Sequence, residues 1–149
     1  MYGDLSKQAN RARDNFVVRE VEISTASKEI QMELIDIFLK WQSHFAKRYP
    51  TFVTYEFVGW NIVAIERIFQ EKEHRLFIAR EIASNQAIGF FYLIQSTRKQ
   101  FDMALSFCDF RENDLHRLLY REVLRQLAEE NIDFVNMGGG KRGGVSLSL

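Results

Sequence analysis

Between Phe69 and Leu76 the apolar residues change their spacing, and that change restricts what the chain can build. Upstream, Ile30, Leu34, Ile37, Phe38, Trp41 and Phe45 recur at helical intervals, as do Val58, Ile62, Ile65 and Phe69. Ser24, Thr25 or Ser27 is placed to cap the first of these helices, and Pro50 ends it. Downstream, Leu76–Ile82 and Ala87–Ile94 are apolar and aromatic runs separated by Ala83-Ser84-Asn85-Gln86, the pattern of a hairpin. A third run places Phe101, Met103, Leu105 and Phe107 on one strand face and Asp102, Ala104, Ser106 and Cys108 on the other, with both faces mostly buried. Leu115, Leu118, Leu119, Val123 and Leu127 then return to helical spacing, with Asn113 or Asp114 as the cap and Asn131 suited to the left-handed position at the end. A leading strand at Phe16–Ile23 and a closing one at Phe134–Met137 complete the order β, α, α, β, β, β, α, β.

The closing strand empties into Gly138-Gly-Gly-Lys-Arg-Gly-Gly144. Consecutive glycines leave backbone N–H groups open to close approach, because no Cβ stands in the way. Such nests favour phosphate-like groups, and Lys141 and Arg142 supply positive charge beside Gly138, Gly139 and Gly140. A solvated turn is the alternative reading. Two nucleotide motifs are excluded. A Walker loop needs Ser or Thr after its Gly-Lys, whereas Lys141 is followed by Arg142; a dinucleotide fingerprint needs a helix after its glycines and an acidic residue about twenty positions on.

The chain has 149 residues, a common size for one domain with a proper core, and no repeat, low-complexity tract or linker divides it. Lys and Arg total 20, as do Asp and Glu, so net charge gives no reason to expect nucleic acid or membrane; any such contact must come from local patches. A single cysteine, Cys108, excludes an internal disulfide framework and suits a reducing compartment. The polar stretch Met1–Arg13 lacks a signal core, and no run approaches the ~18 apolar residues of a membrane span. A soluble, cytoplasmic domain is expected. His44 and His74 lack metal-ligand spacing, and no metal site is expected.

The element order is that of the GNAT acyltransferase fold, an α+β fold with a mixed central sheet flanked by helices. Several stretches are similar to a narrower group: Leu5-Ser-Lys-Gln-Ala-Asn-Arg-Ala-Arg13, Phe16-Val-Val-Arg-Glu-Val21, Phe38-Leu-Lys-Trp41, Ala87-Ile-Gly-Phe90, Phe134-Val-Asn-Met-Gly138 and the closing Ser146-Leu-Ser-Leu149. On these the chain resembles the C-terminal GNAT-like domain of phosphatidylglycerol lysyltransferase-like proteins, related to the Fem-type aminoacyltransferases. The resemblance implies acyl or aminoacyl transfer, with the activated group entering where two central parallel strands splay apart. It also implies that residues 1–149 correspond to the C-terminal half of a tandem protein, with a second GNAT-like domain, and in the lysyltransferases a membrane portion, as its partners.

Acetyl-CoA enzymes of this fold follow the first splayed strand with a glycine-containing pyrophosphate loop. This chain has Cys108-Asp-Phe-Arg-Glu-Asn-Asp-Leu115, without glycine. The departure favours the groups that use aminoacyl-tRNA as donor, with no further cofactor, and leaves acyl-CoA as the alternative. Transfer requires a base or proton carrier and stabilisation of an oxyanion. Asp102 and Asp109 are the catalytic candidates: Asp102 points into the splayed cleft, or else is a strand-end residue paired with Arg98 or Lys99, and Asp109 is otherwise a loop residue. Arg111, with Arg117 and Arg121, would meet phosphate on tRNA or an anionic lipid head group, unless these arginines form a solvated face paired with Glu112 and Glu122. Asn136 and the glycine run with Lys141 and Arg142 complete the substrate-binding candidates. His116 lacks an evident partner in sequence, and Cys108 reads as a small core residue.

Overall fold

A computed structural model describes residues 15–51, 53–71, 73–109, 115–136 and the backbone of 146–148. Its six strands form one sheet in the order β1 (Phe16–Val21), β2 (Arg75–Glu81), β3 (Ala87–Thr97), β4 (Gln100–Cys108), β5 (Phe134–Asn136) and β6 (Ser146–Ser148). All neighbours are antiparallel except β4 and β5, which run parallel because the chain crosses between them through a helix. Helices α1 (Lys28–Arg48) and α2 (Tyr55–Arg67) cover one face, and α3 (Leu115–Glu129) covers the other.

The hydrophobic pattern explains the layering. Ala87–Leu93 of β3 is buried at every position, as a central strand covered on both faces should be. Its odd-numbered residues Phe91 and Leu93 pack with Leu118, Leu119 and Val123 of α3. The even-numbered Phe90 and Tyr92 pack with Leu34, Ile37 and Phe38 of α1. Each fully buried side chain of this kind contributes ~1.5–3 kcal/mol. A surface ion pair such as Lys40–Asp36 contributes ~0.2–1 kcal/mol, so the two apolar layers dominate stability.

Local signals set the boundaries. Thr54 caps α2 by accepting the Phe57 N–H at 3.1 Å, whereas Ser27 precedes α1 without a side-chain cap bond. Asn85, at φ 60°, closes the hairpin as its N–H donates to Glu81 O at 2.8 Å. Asn131, also at φ 60°, ends α3: its N–H donates to Ala128 O and that of Ile132 to Leu127 O, both at 3.2 Å, in the Schellman arrangement. The proposed caps Asn113 and Asp114 lie outside the described residues.

Three sequence expectations are corrected. The first strand stops at Val21, because Ile23–Thr25 turns into a short 3-10 helix. An additional strand, β6, pairs antiparallel with β5 and forms an edge of the sheet. The third concerns β4. Leu93 stands opposite Met103 but Tyr92 stands opposite Leu105, so Ala104 is an extra residue, a β-bulge. The bulge turns the strand over. Phe101 and Met103 pack on the α3 side, while Leu105 and Phe107 join the α1–α2 side. Nor is β4 mostly buried on both faces: only Phe101 and Phe107 are buried, and Ala104 is exposed.

Candidate active site

Only the first three residues of β4 pair with β5, in the register Gln100↔Phe134, Phe101↔Val135 and Asp102↔Asn136. From Met103 to Cys108 the edge of β4 that faces β5 has no paired strand among the described residues. The described part of β5 ends at Asn136, and the bulge at Ala104 stands two residues beyond the last described pair.

On the α1–α2 side, a cleft of about 670 Å³ lies over the bulge, between α2 and strands β3 and β4. Tyr92, Ile94, Ala104 and Leu105 form its floor, and Trp60, Arg67, Glu71 and His74 are among the residues of its walls. Trp60 is 72% exposed there, an amphipathic ring available for contact. His74 Nδ1 accepts the Gln95 N–H at 3.2 Å, so in the neutral ring the proton sits on Nε2, and the ring meets Tyr92 edge-on at 5.8 Å. Burial, with Glu71's charge second, pushes the Tyr92 phenol up to about 12. The phenol is therefore a hydrogen-bond donor at neutral pH.

On the α3 side, Ser106 Oγ lies 3.2 Å from His116 Nε2. Phe91 and Tyr120 hold the imidazole edge-on at centroid distances of 5.7 and 4.5 Å. Desolvation, with Arg117's charge second, lowers the His116 pKa and so favours the neutral ring. Burial, with Asp109 second, pushes the Cys108 thiol up to about 12, and burial, with Cys108 second, raises Tyr120. Cys108 is inert as a nucleophile near neutrality.

The sequence candidates are distributed around this edge rather than gathered at one point. Asp102 is half-buried, follows the cleft-side alternation, and stands opposite Ile94 of the cleft floor, but it does not line the cleft itself. Its carboxylate accepts from Gln100 Nε2 at 3.2 Å; Lys99 pairs instead with Asp133 at 3.4 Å. Asn136 is Asp102's neighbour across the parallel pair. Asp109 is 4% exposed at the end of β4, its N–H donating to Ile88 O at 2.8 Å, and lines a second cleft of about 500 Å³ with Lys40, His44 and Gln86. Arg111, Gly138, Gly139, Gly140, Lys141 and Arg142 lie outside the described residues. Arg121 reaches Glu122 at 3.7 Å, and Arg117 is exposed on α3.

Two groupings were not legible beforehand. His116 does have a partner, Ser106, brought to it by the return of the chain from β4 into α3. The group His74, Glu71 and Tyr92 also went unseen, since its members come from a turn and a central strand. Among the described residues, no three potential ligands gather as a metal site, and no helix is long and apolar enough to cross a membrane.

No family model matches the sequence, and no curated protein matches it. Solved structures match in fold, and the class they define is GNAT-like. An acetyltransferase of the GNAT family from Staphylococcus aureus Mu50 aligns with TM-score 0.57 at 18% identity, over 83% of this chain and 74% of its own. The similarity extends to the narrower group. The C-terminal domain of a protein assigned as a lysylphosphatidylglycerol synthetase in Agrobacterium fabrum aligns with TM-score 0.66 at 19% identity, and L-PGS from Bacillus licheniformis with 0.64 at 13%. Each covers 91% of this chain, which spans only 40% of either of theirs. The resemblance read from the sequence therefore holds at the level of fold: α+β, with a mixed sheet between helices.

Proposed function

We propose that this chain is a GNAT-like acyltransferase domain that moves an aminoacyl group from aminoacyl-tRNA to the amine or hydroxyl of a lipid or other acceptor. One observation supports the reading: the described parallel pairing of β4 with β5 stops at Asp102, two residues before the bulge, beside a cleft on the α1–α2 side. An activated acyl group entering at that edge meets an acceptor seated in the cleft, which brings the reacting atoms together and removes most of the entropic cost of a bimolecular step. Asp102 then orients the aminoacyl group or takes a proton. Asp109 is the second catalytic candidate, and Asn136, Arg111 and the glycine run with Lys141 and Arg142 hold the remainder of the donor or the acceptor's head group. An anionic membrane surface and a second GNAT-like domain are the expected partners.

A CoA-dependent small-molecule N-acyltransferase is the second reading, favoured by the 74% of the Staphylococcus acetyltransferase that this chain spans. The glycine-free segment 109–114 weighs against it, because a pyrophosphate needs close backbone approach. Transfer assays with charged tRNA and acetyl-CoA side by side, over anionic phospholipid vesicles and small amines, decide between them by the mass of the product. Transfer from charged tRNA alone is the expected result. No transfer from either donor, with binding to lipid or protein retained, would instead identify a binding module.

A further inference from the structure

We propose that the cleft over the bulge binds an α-amino acid with an apolar side chain, holding its carboxylate and its ammonium group on opposite charges; that this amino acid serves as an acceptor rests on the transferase reading above. An orphaned hydroxyl carries the proposal. Tyr92 is 6% exposed and lines the cleft, yet its phenol makes no hydrogen bond among the described residues. Buried hydroxyls are nearly always paired, and one left unpaired costs free energy until a bound partner satisfies it. Burial keeps this phenol protonated, so the partner it lacks is an acceptor.

The rest of the lining identifies that partner. His74 spends Nδ1 on the Gln95 N–H, which leaves its Nε2–H to a ligand, and Arg67 adds a guanidinium to the same wall. Two neutral donors and a cation lining one cleft suit a carboxylate. Glu71, four residues beyond Arg67, brings the opposite charge, and neither side chain has an ion-pair partner among the described residues. A zwitterion satisfies both charges, whereas a singly charged ligand leaves one bare. The other walls are apolar: Trp60, Val63 and Ile94 are 72, 45 and 38% exposed, and with Leu105 they cover an aliphatic or aromatic side chain. At about 670 Å³ the cleft is of small-molecule size. As an acceptor, the ammonium first loses a proton to solvent. Its nitrogen then bonds to the acyl carbon as the donor's ester C–O bond breaks, and a second proton leaves with the departing alcohol, giving an amide.

Isothermal titration of the intact chain tests the site with L-phenylalanine beside two single-charge analogues, phenethylamine and 3-phenylpropanoate. L-Phenylalanine should bind at least about tenfold more tightly than either, and Arg67→Gln and Glu71→Gln should each weaken it by about tenfold or more. Tyr92→Phe is the sharper variant. Because the hydroxyl pairs with no described residue, the Tm should hold or rise while the affinity for L-phenylalanine falls. Equal affinities for the three ligands, no binding of L-phenylalanine, or unchanged affinity in Tyr92→Phe would overturn the proposal. Transfer to a lipid or another amine by a chain that does not bind L-phenylalanine would also overturn it, leaving the transferase reading intact. The expected binding pattern without transfer to L-phenylalanine from any donor would uphold the site and count against its use for an acceptor alone.

Discussion

At Gly89 two leucines of α3 and Cys108 of β4 crowd the sheet, and adding one methyl group there measures how tightly they fit. A Cβ built on Gly89 falls 2.9 Å from Cys108 Sγ, 3.0 Å from Leu119 Cδ1 and 3.4 Å from Leu115 Cδ2. Both leucines are fully buried, and β4 holds the sulfur in place directly across the ladder from Gly89. Overpacking of this kind costs ~1–3 kcal/mol. Against it stands the ~0.4–1 kcal/mol that alanine gains over glycine by restricting the unfolded chain. At the middle of both ranges, ~2 against ~0.7 kcal/mol, crowding wins by ~1.3 kcal/mol, so the Tm of Gly89→Ala should fall by roughly 3–5 °C in a domain of this size. Thermal and urea unfolding followed by circular dichroism give the number, with an unchanged m-value showing that only stability moved. Cys108→Ala removes the nearest obstacle, so the double mutant should be more stable than the two single changes sum to, by about 0.5 kcal/mol or more. A Tm for Gly89→Ala equal to or above that of the parent would refute the close approach.

Three further outcomes follow from the site. Cys108, raised from 9.0 to about 12, should react with iodoacetamide at pH 8 about a thousandfold more slowly in the folded chain than in urea, since its thiolate share is ~10⁻⁴ rather than ~10⁻¹; equal rates would contradict the burial. Because the folded pKa is the higher one, the stability linked to this thiol is complete below pH 9 and is lost as pH rises from there towards 12, which urea midpoints between pH 8 and 10.5 would register as a decline. Asp102→Asn, nearly isosteric, should lower transfer by about two to four orders of magnitude with little change in Tm, whereas full activity would remove Asp102 from the chemistry.

The helices were legible because their apolar faces are long: Leu34, Ile37 and Phe38 are buried as their spacing requires, and so are Leu118, Leu119 and Val123. The hairpin was legible from Asn85, whose side chain tolerates the left-handed turn. The reversal of β4 was not. Its residues 101, 103, 105 and 107 are all apolar, so the sequence alternates perfectly through a bulge that exists only relative to β3, and Ala104 is small enough to stand exposed at the extra position. Of the site, Asp102 and Asn136 could be placed on adjacent strands in advance. The Ser106–His116 pair could not, because its members are ten residues apart on a strand and a helix whose contact depends on how α3 returns across the sheet.

The bulge has a consequence for the division of labour at the site. Under strict alternation Asp102, Ser106 and Cys108 would share one face, and a carboxylate, a hydroxyl and a thiol would compete for the same substrate. Turning the strand over at Ala104 leaves Asp102 on the side of the cleft with Tyr92 and His74, and sends Ser106 and Cys108 to the side of His116 and Tyr120. On the α3 face burial holds the Cys108 thiol neutral, so it is silent as a nucleophile near neutral pH.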